Sequence, residues 1–306
     1  MRRGASRREA ASLVGRRLAL LVAVASIWAA PAAGQDGATL YAFDEAVAGG
    51  ETLRLRWPTA VAAGGADEIA VADAEGPSLA VFRDLGGGEG WVVHAAIELP
   101  APAYSVSCGA DFYLISTRRP GVLLTVAKSD YTLRELALAP GITPGAATCL
   151  PDDRLLVHDL AAGRLVVLDG AGKVLTAVAI AETVAALAPG AGGGFYAALP
   201  GAGEVRRYGA NGEQLSSLKL PGVGPTPAWP VGLAVEANGE VVVVDRHGGR
   251  ILVVEASGRL AGSGSRKGWE PGLLRFPASL ARLPDGRVVV ADQGNGRVQL
   301  FRRLEE

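Results

Sequence analysis

A unit made of an apolar run, a short polar loop and a second apolar run recurs through this chain at a fixed register. An anchor residue closes the first run, and nine positions later the second run ends on an apolar residue: Asp73 to Phe82, Asp159 to Leu168, Asp245 to Val254 and Asp292 to Phe301. Thr117 to Val126 and Leu199 to Tyr208 keep the register without the aspartate. Successive anchors lie 44, 42, 40, 46 and 47 residues apart. A period in the low to middle forties built from strands predicts an all-β propeller, here a six-bladed one of four-stranded antiparallel blades.

One copy shows how a blade is written. Phe276–Leu283 reads as a first strand, Pro284-Asp285-Gly286 as a tight turn, Arg287–Ala291 as a second strand and Arg297–Phe301 as a third. Continuous apolar runs such as Val241–Val244 and Val288–Ala291 suit strands covered on both faces. Glycine-bearing turns at Asp169–Lys173 and Gly209–Glu213 lead into outer strands that begin at Val174 and Gln214. The last copy stops after its third strand, so an N-terminal strand is expected to close the ring and remove its open edges. Glu51–Arg56 matches the outer strands in pattern and is the expected closing strand, which leaves Thr39–Phe43 as an additional strand or a segment packed across a face.

The N-terminal residues have a different character. Met1–Arg17 holds six arginines and one glutamate, Leu18–Ala30 is apolar except for Ser26, and small residues follow. This pattern predicts a secretory signal peptide over residues 1–33, a single domain over 34–306 and a periplasmic or extracellular location. A run of thirteen residues is short for a membrane span, and no cysteine follows it to carry a lipid. No membrane association is expected once the leader is cleaved. Without the leader the chain has 24 basic and 30 acidic residues, a net charge of −6, which argues against a nucleic-acid partner. Cys108 and Cys149 are the only cysteines. An even count in an oxidising compartment admits a disulfide, but both occupy the same register position in neighbouring copies, which points their side chains the same way rather than at each other.

Three copies place an arginine five residues after the anchor: Asp159 and Arg164, Asp245 and Arg250, Asp292 and Arg297. Four loop residues separate each pair, so the two side chains face each other across a hairpin mouth, where the carboxylate can also accept loop N–H groups. Repetition marks these residues, with Asp73, as hairpin-closing structure rather than catalytic groups. As surface pairs each would contribute about 0–1 kcal/mol.

The run Asp-x-x-Asn-x-Arg-Val at Asp292–Val298, the openings Trp229-Pro230 and Phe276-Pro277, and Gly264-Ser-Arg-Lys-Gly268 with Gly272 resemble NHL repeats. The resemblance is specific over 227–301, recognisable over 57–81 and 151–168, and weak in the copies around Tyr104 and Val184. It implies a six-bladed propeller whose loops gather around a central channel. Enzymes on related six-bladed propellers include an amidating lyase with histidine ligands on a channel metal, and lactonases with a carboxylate and asparagine constellation there. A channel-site metal-dependent lyase or lactonase is therefore the alternative to a binding protein.

The residues themselves favour binding. His94, His158 and His247 are the only histidines, and they fall in an outermost strand, at the end of a second strand and in a loop, radial positions that do not suit one shared metal. His158 and Asp159 are adjacent and project to opposite faces of a regular strand. There is no Gly-x-Ser-x-Gly elbow, and Gly190–Gly194 joins two strands instead of opening a helix, so it is not a phosphate loop. No catalytic residue, metal ligand or cofactor is assigned. Function is expected on the loop face shared by the second-to-third-strand loops, with Arg118, Arg119, Arg246, His247, Gln293 and Asn295, and the blade openings, with Trp57, Tyr104 and Trp229. Polar groups mixed with large aromatics there suit a protein, peptide or glycan partner of a monomeric scaffold.

Overall fold

The structure, a computed structural model, describes residues 38–304 apart from 51, 52, 77 and 88, so the leader expected over 1–33 lies outside the described residues. The N-terminal strand is β1 (Ala38–Val47). Four sheets of four antiparallel strands then follow in chain order. The first holds β2 (Pro58–Ala63), β3 (Glu68–Asp73), β4 (Ser78–Asp84) and β5 (Trp91–Glu98). The second holds β6 (Ala103–Cys108), β7 (Phe112–Thr117), β8 (Leu123–Ala127) and β9 (Leu133–Leu136). The third holds β10 (Pro144–Cys149), β11 (Leu155–Asp159), β12 (Arg164–Leu168) and β13 (Val174–Ala179). The fourth holds β14 (Ala186–Pro189), β15 (Phe195–Leu199), β16 (Glu204–Tyr208) and β17 (Gln214–Lys219). The remaining strands are β18 (Pro230–Val235), β19 (Val241–Asp245), β20 (Arg250–Val254), β21 (Leu260–Gly264), β22 (Ser279–Arg282), β23 (Val288–Asp292) and β24 (Arg297–Arg303). With β1 they form one eight-stranded sheet in the order β18-β19-β20-β21-β1-β24-β23-β22. The molecule is an all-β propeller with four-stranded antiparallel blades.

Every anchor of the repeat closes a second strand: Asp73, Thr117, Asp159, Leu199, Asp245 and Asp292 end β3, β7, β11, β15, β19 and β23. These strands carry the continuous apolar runs because sheets pack against both of their faces. All residues of β3, β11, β15, β19 and β23 are buried, whereas outer strands such as β13 alternate between exposed and half-buried positions. Apolar clusters fill the space between consecutive sheets. One joins Ala72 and Leu79 of the first sheet to Tyr113 and Val126 of the second, and another joins Leu156 and Leu165 to Phe195 and Tyr208. A third lies inside the eight-stranded sheet, where Val242 and Ile251 meet Val288, Val290 and Phe301. That sheet is therefore folded so that its two halves face each other.

The first strands are neighbours in a closed cycle, β2-β6-β10-β14-β18-β22 and back to β2. Gly232 permits one of these approaches, since a Cβ there would meet the Leu280 amide nitrogen at 2.4 Å. A cavity of about 330 Å³ is lined by residues near the far ends of all six strands, including Ala62, Ser107, Thr148, Ala188, Ala234 and Ala281.

The closing strand is β1, not Glu51–Arg56. Tyr41 to Val47 pair antiparallel with β24, and Ala38 to Tyr41 pair parallel with β21, so Thr39–Phe43 is the strand that seals the last sheet. An outermost strand stands about 14 Å from the first strand, three strand spacings away. Arg56 precedes the first strand β2 by a single residue, Trp57, and cannot lie that far out. Gly49 and Arg54 instead form an isolated bridge, and Leu55 is buried in the cluster between β2–β5 and β22–β24.

Candidate functional site: the anchored loop face

Antiparallel blades send their loops to two faces. The second-to-third-strand loops and the segments entering each first strand share one face, and the aspartate anchors bind the two sets together. Asp73 Oδ2 accepts the Arg56 and Trp57 amides at 2.7 and 2.9 Å, and its Oδ1 accepts the Glu75 amide at 2.9 Å. Asp159 accepts the Thr143 and Ala161 amides at 3.1 and 3.2 Å and Arg164 Nε at 3.0 Å. Asp245 accepts the Trp229 and His247 amides at 2.8 and 3.1 Å and Arg250 Nε at 3.1 Å. Asp292 accepts the Arg275 amide at 2.7 Å, Asn295 Nδ2 at 2.7 Å, Gln299 Nε2 at 2.8 Å and Arg297 Nε at 3.1 Å. In each Asp–Arg hairpin the two residues are Cα partners. Thr117 replaces the carboxylate in the second sheet, accepting the Val122 amide at 3.1 Å.

Burial corrects the energetic expectation for these pairs. All four aspartates are buried, and Arg250 is buried with its partner. Removing one member of such a pair strands the other and costs about 3–5 kcal/mol, well above a surface pair. The arginines also reach into the entering segments: Arg250 Nη2 donates to Pro221 O at 2.5 Å, and Arg297 Nη2 to Trp269 O and Glu270 O at 2.9 and 2.8 Å. Burial pushes the Asp159 carboxyl up, but the Thr143 amide and Arg164 pull it down further, and the net shift is downward. At Asp292 burial prevails over the Arg275 amide, Asn295 and Arg297, and the shift is upward.

The loops held this way carry aromatic and cationic side chains. Trp57 and Trp229 are 47% and 37% exposed. Trp229 packs against the His247 ring with centroids 5.1 Å apart, and His247 Nδ1 lies 3.1 Å from Pro227 O. Arg118 lies over the Tyr104 ring at 5.1 Å. Tyr104 crosses from the second sheet to the fourth, its hydroxyl donating to Val184 O at 3.2 Å. Burial raises the Tyr104 pKa, opposed by the Arg118 charge. Arg246 Nη1 donates to Phe276 O and Pro277 O at 3.0 and 3.1 Å, and its Nη2 donates to the buried Gln293 Oε1 at 2.9 Å. Arg119 is exposed. Asn295 is occupied within the fold, because its amide nitrogen donates to Gly268 O as well as Asp292.

Part of this face escaped the sequence reading. The segment 265–278 between β21 and β22 is the longest loop entering a first strand, and it presents Trp269 (66% exposed) and Phe276 (39%). The Arg275 guanidinium lies 3.5 Å from the Trp269 ring centroid. Arg246, Lys267 and Arg275 surround Phe276 at 5.6, 5.3 and 5.6 Å. Phe276 sits at φ 46°, a left-handed conformation that is costly for an aromatic residue. Gly249 (φ 61°) gives this segment room, since a Cβ there would meet Leu274 O at 2.6 Å. The length of the interval between Gly264 and Phe276 was the available signal.

The histidines stay apart. His94 lies on the outer strand β5 against Tyr131 at 5.6 Å. His158 is buried, its Nδ1 lacks a hydrogen-bond partner, and burial lowers its pKa against the opposing pull of Asp159. Among the described residues no group of three or more His, Cys, Asp or Glu is placed to hold a metal ion. Cys108 and Cys149 are free, half-buried thiols beside the cavity at the other end of the first strands. Cys108 donates to Gly109 O at 3.1 Å, and burial pushes Cys149 up to about 11.

Counted over the described residues, the loops of the anchored face hold eight lysines and arginines and three acidic residues. Among the described residues none of the eight has a carboxylate within 4.0 Å. The first-to-second-strand and third-to-fourth-strand loops, on the opposite face, hold twelve acidic and five basic residues. There Arg154, Arg259 and Arg287 are all paired with carboxylates.

Comparison with known proteins agrees with this architecture. The fold is similar to that of a structural genomics protein of unknown function from Bacteroides thetaiotaomicron, with a TM-score of 0.68 at 11% identity over 87% of this chain and 76% of that one. It is also similar to virginiamycin B lyase from Staphylococcus aureus, with a TM-score of 0.58 at 12% identity over 87% and 89%. At such identities the likeness is one of fold alone. In sequence, human NHL repeat-containing protein 3 is 30% identical over 106 residues, 32% of this chain and 30% of the relative's length. A family model for the NHL repeat matches residues 274–301, which span the last anchored hairpin and the strand before it. Over the matched repeat in motif, and over most of the chain in fold, the protein is similar to NHL-repeat β-propellers.

Proposed function

We propose that the chain is a six-bladed propeller, exported by its N-terminal leader, that acts as a monomeric, non-catalytic scaffold binding a protein, peptide or glycan through its anchored loop face. Two features support six blades: the six-membered cycle of first strands, and the apolar packing between the halves of the eight-stranded sheet. On this reading β1 is the outer strand of the last blade and braces it to the blade before.

The observation that carries the binding role is the excess of unpaired cations interleaved with exposed Trp57, Trp229, Trp269 and Phe276 on one face. Arginine and tryptophan are enriched at the energetic centres of interfaces, and a rigid ring of strands holds these loops in place. The face has no enzymatic requirement to meet on this reading, and the fold likeness to a lyase does not supply one. The test is photo-crosslinking in the native envelope with a reactive residue at position 229 and, separately, at position 285 on the opposite face. Reproducible adducts from 229 alone are expected. Adducts from 285 alone, or turnover by the purified chain that needs an added metal, would replace this reading.

A further inference from the structure

The residues that follow the anchors occupy equivalent positions at the mouth of the ring. Ala74, Arg118, Leu160 and Arg246 each donate their amide to the carbonyl of an entering segment, Trp57, Pro102, Thr143 and Trp229 respectively, at 2.8–3.0 Å. Two of these positions are arginine. Arg118 belongs to the sheet opened by β6 and Arg246 to the strands opened by β18, three steps apart in either direction around the cycle of first strands. The two residues therefore stand on opposite sides of the ring.

Each presents donors for a negative group, and neither has a carboxylate partner among the described residues. Arg246 spends Nη1 on two backbone carbonyls and one Nη2 hydrogen on Gln293, which fixes its plane and leaves Nε–H and a second Nη2 hydrogen of its five donors. Arg118 rests on Tyr104 and has no side-chain hydrogen bond or ion pair among the described residues. Burial first, and then the positive charge of Arg118, hold the Arg246 guanidinium below its usual pKa. Two cations that repel across a mouth, one held half-buried by neutral acceptors, form a costly arrangement unless an anion joins them. Guanidinium groups suit carboxylate and phosphate because parallel N–H bonds match pairs of oxygens.

We propose that Arg118 and Arg246 clamp an oxyanion, a carboxylate or phosphate group of a ligand, on the propeller axis, with the Tyr104 ring as its floor. The inference rests on the binding role proposed for this face and names the chemistry at its centre. Such a ligand need not be large, because the two donors converge on a single group. The surrounding Trp229 and Gln293 would contact whatever carries it.

The experiment uses the purified full chain, with inorganic phosphate and succinate as separate probes in calorimetry and thermal melts, and chloride at matched ionic strength as the control. Saturable binding of one probe and a rise in melting temperature beyond that in chloride are expected. Phosphate alone would indicate a phosphoryl ligand and succinate alone a carboxylate ligand. Arg118→Gln and Arg246→Gln should each weaken binding at least tenfold, while Arg134→Gln, at an exposed position on the outer strand β9, should bind as the parent does. Arg118→Gln removes no hydrogen bond within the chain, so it separates binding from folding. Equal effects of all three salts, or unchanged binding by Arg118→Gln, would overturn the clamp. Adducts retained at position 229 alongside such a result would mean the clamp fails while the binding role stands, and loss of those adducts would mean the binding role itself fails.

Discussion

The two loop faces are made from the same repeat and differ in almost every physical respect. On the anchored face buried aspartates pair with strand arginines and tie loops to entering segments, while the loop cations have no carboxylate partner among the described residues. On the opposite face, turns such as Asp285–Arg287 close on exposed side chains, with the Asp285–Arg287 ion pair at 2.7 Å. Stability is thus invested where the loops must be held still, and the unsatisfied charge sits on that same held surface. The lesson is that a net charge of −6 for residues 34–306 describes neither face, since the loops of one are basic and those of the other acidic. Partner arguments belong to the face, not the average.

The largest expected effect is at an anchor. Asp245→Ala leaves the buried Arg250 guanidinium uncompensated and should cost about 3–5 kcal/mol in denaturant melts, whereas Asp285→Ala on the opposite face should cost about 0–1 kcal/mol. Equal costs would dissolve the contrast between the faces. Next in size is the acid response. His158 has a lowered pKa, so the unfolded chain binds the proton first, and stability is full above the ordinary histidine value and falls as pH drops through it. Asp159 is also lowered, so its contribution is present above the ordinary carboxylate value and is lost as pH falls through the folded value. Chemical melts of His158→Gln between pH 7 and 5 should show a flatter decline than the parent, and an unchanged slope would remove His158 from this role. The smallest effect concerns charge alone. Lys267→Gln should leave the melting temperature within about 1 °C, since an exposed substitution of this kind falls within about 0.5 kcal/mol, while slowing association with an acidic partner at low salt more than at high salt.

Much of the architecture was legible because the repeat is a strong constraint. The spacing of Asp73, Asp159, Asp245 and Asp292 located four strand ends directly, and the same register found Thr117 and Leu199 without the aspartate. The closing strand was misread because pattern alone does not measure distance: Glu51–Arg56 looks like an outer strand but is tethered to the innermost one. The anchor pairs were recognised, but their burial was not, because a polar residue next to a loop gives no sign that a neighbouring segment covers it. On the candidate site, Trp57, Trp229, Arg118 and Arg246 were legible as the places where copies differ. Trp269 and Arg275 were not, because they lie in a long segment outside the repeated register, and Phe276, read as the start of a first strand, instead belongs to that segment because the strand begins at Ser279. The placement of Arg118 and Arg246 on opposite sides of the ring depends on closure, which no local pattern records.

The central claim is that recognition belongs to the basic, anchored face. Site-specific photo-crosslinking from Trp229 and from Asp285, in the same native envelope and at the same labelling efficiency, tests it most directly. Reproducible adducts from position 229 with none from position 285 are predicted. Adducts from position 285 with none from position 229 would contradict it.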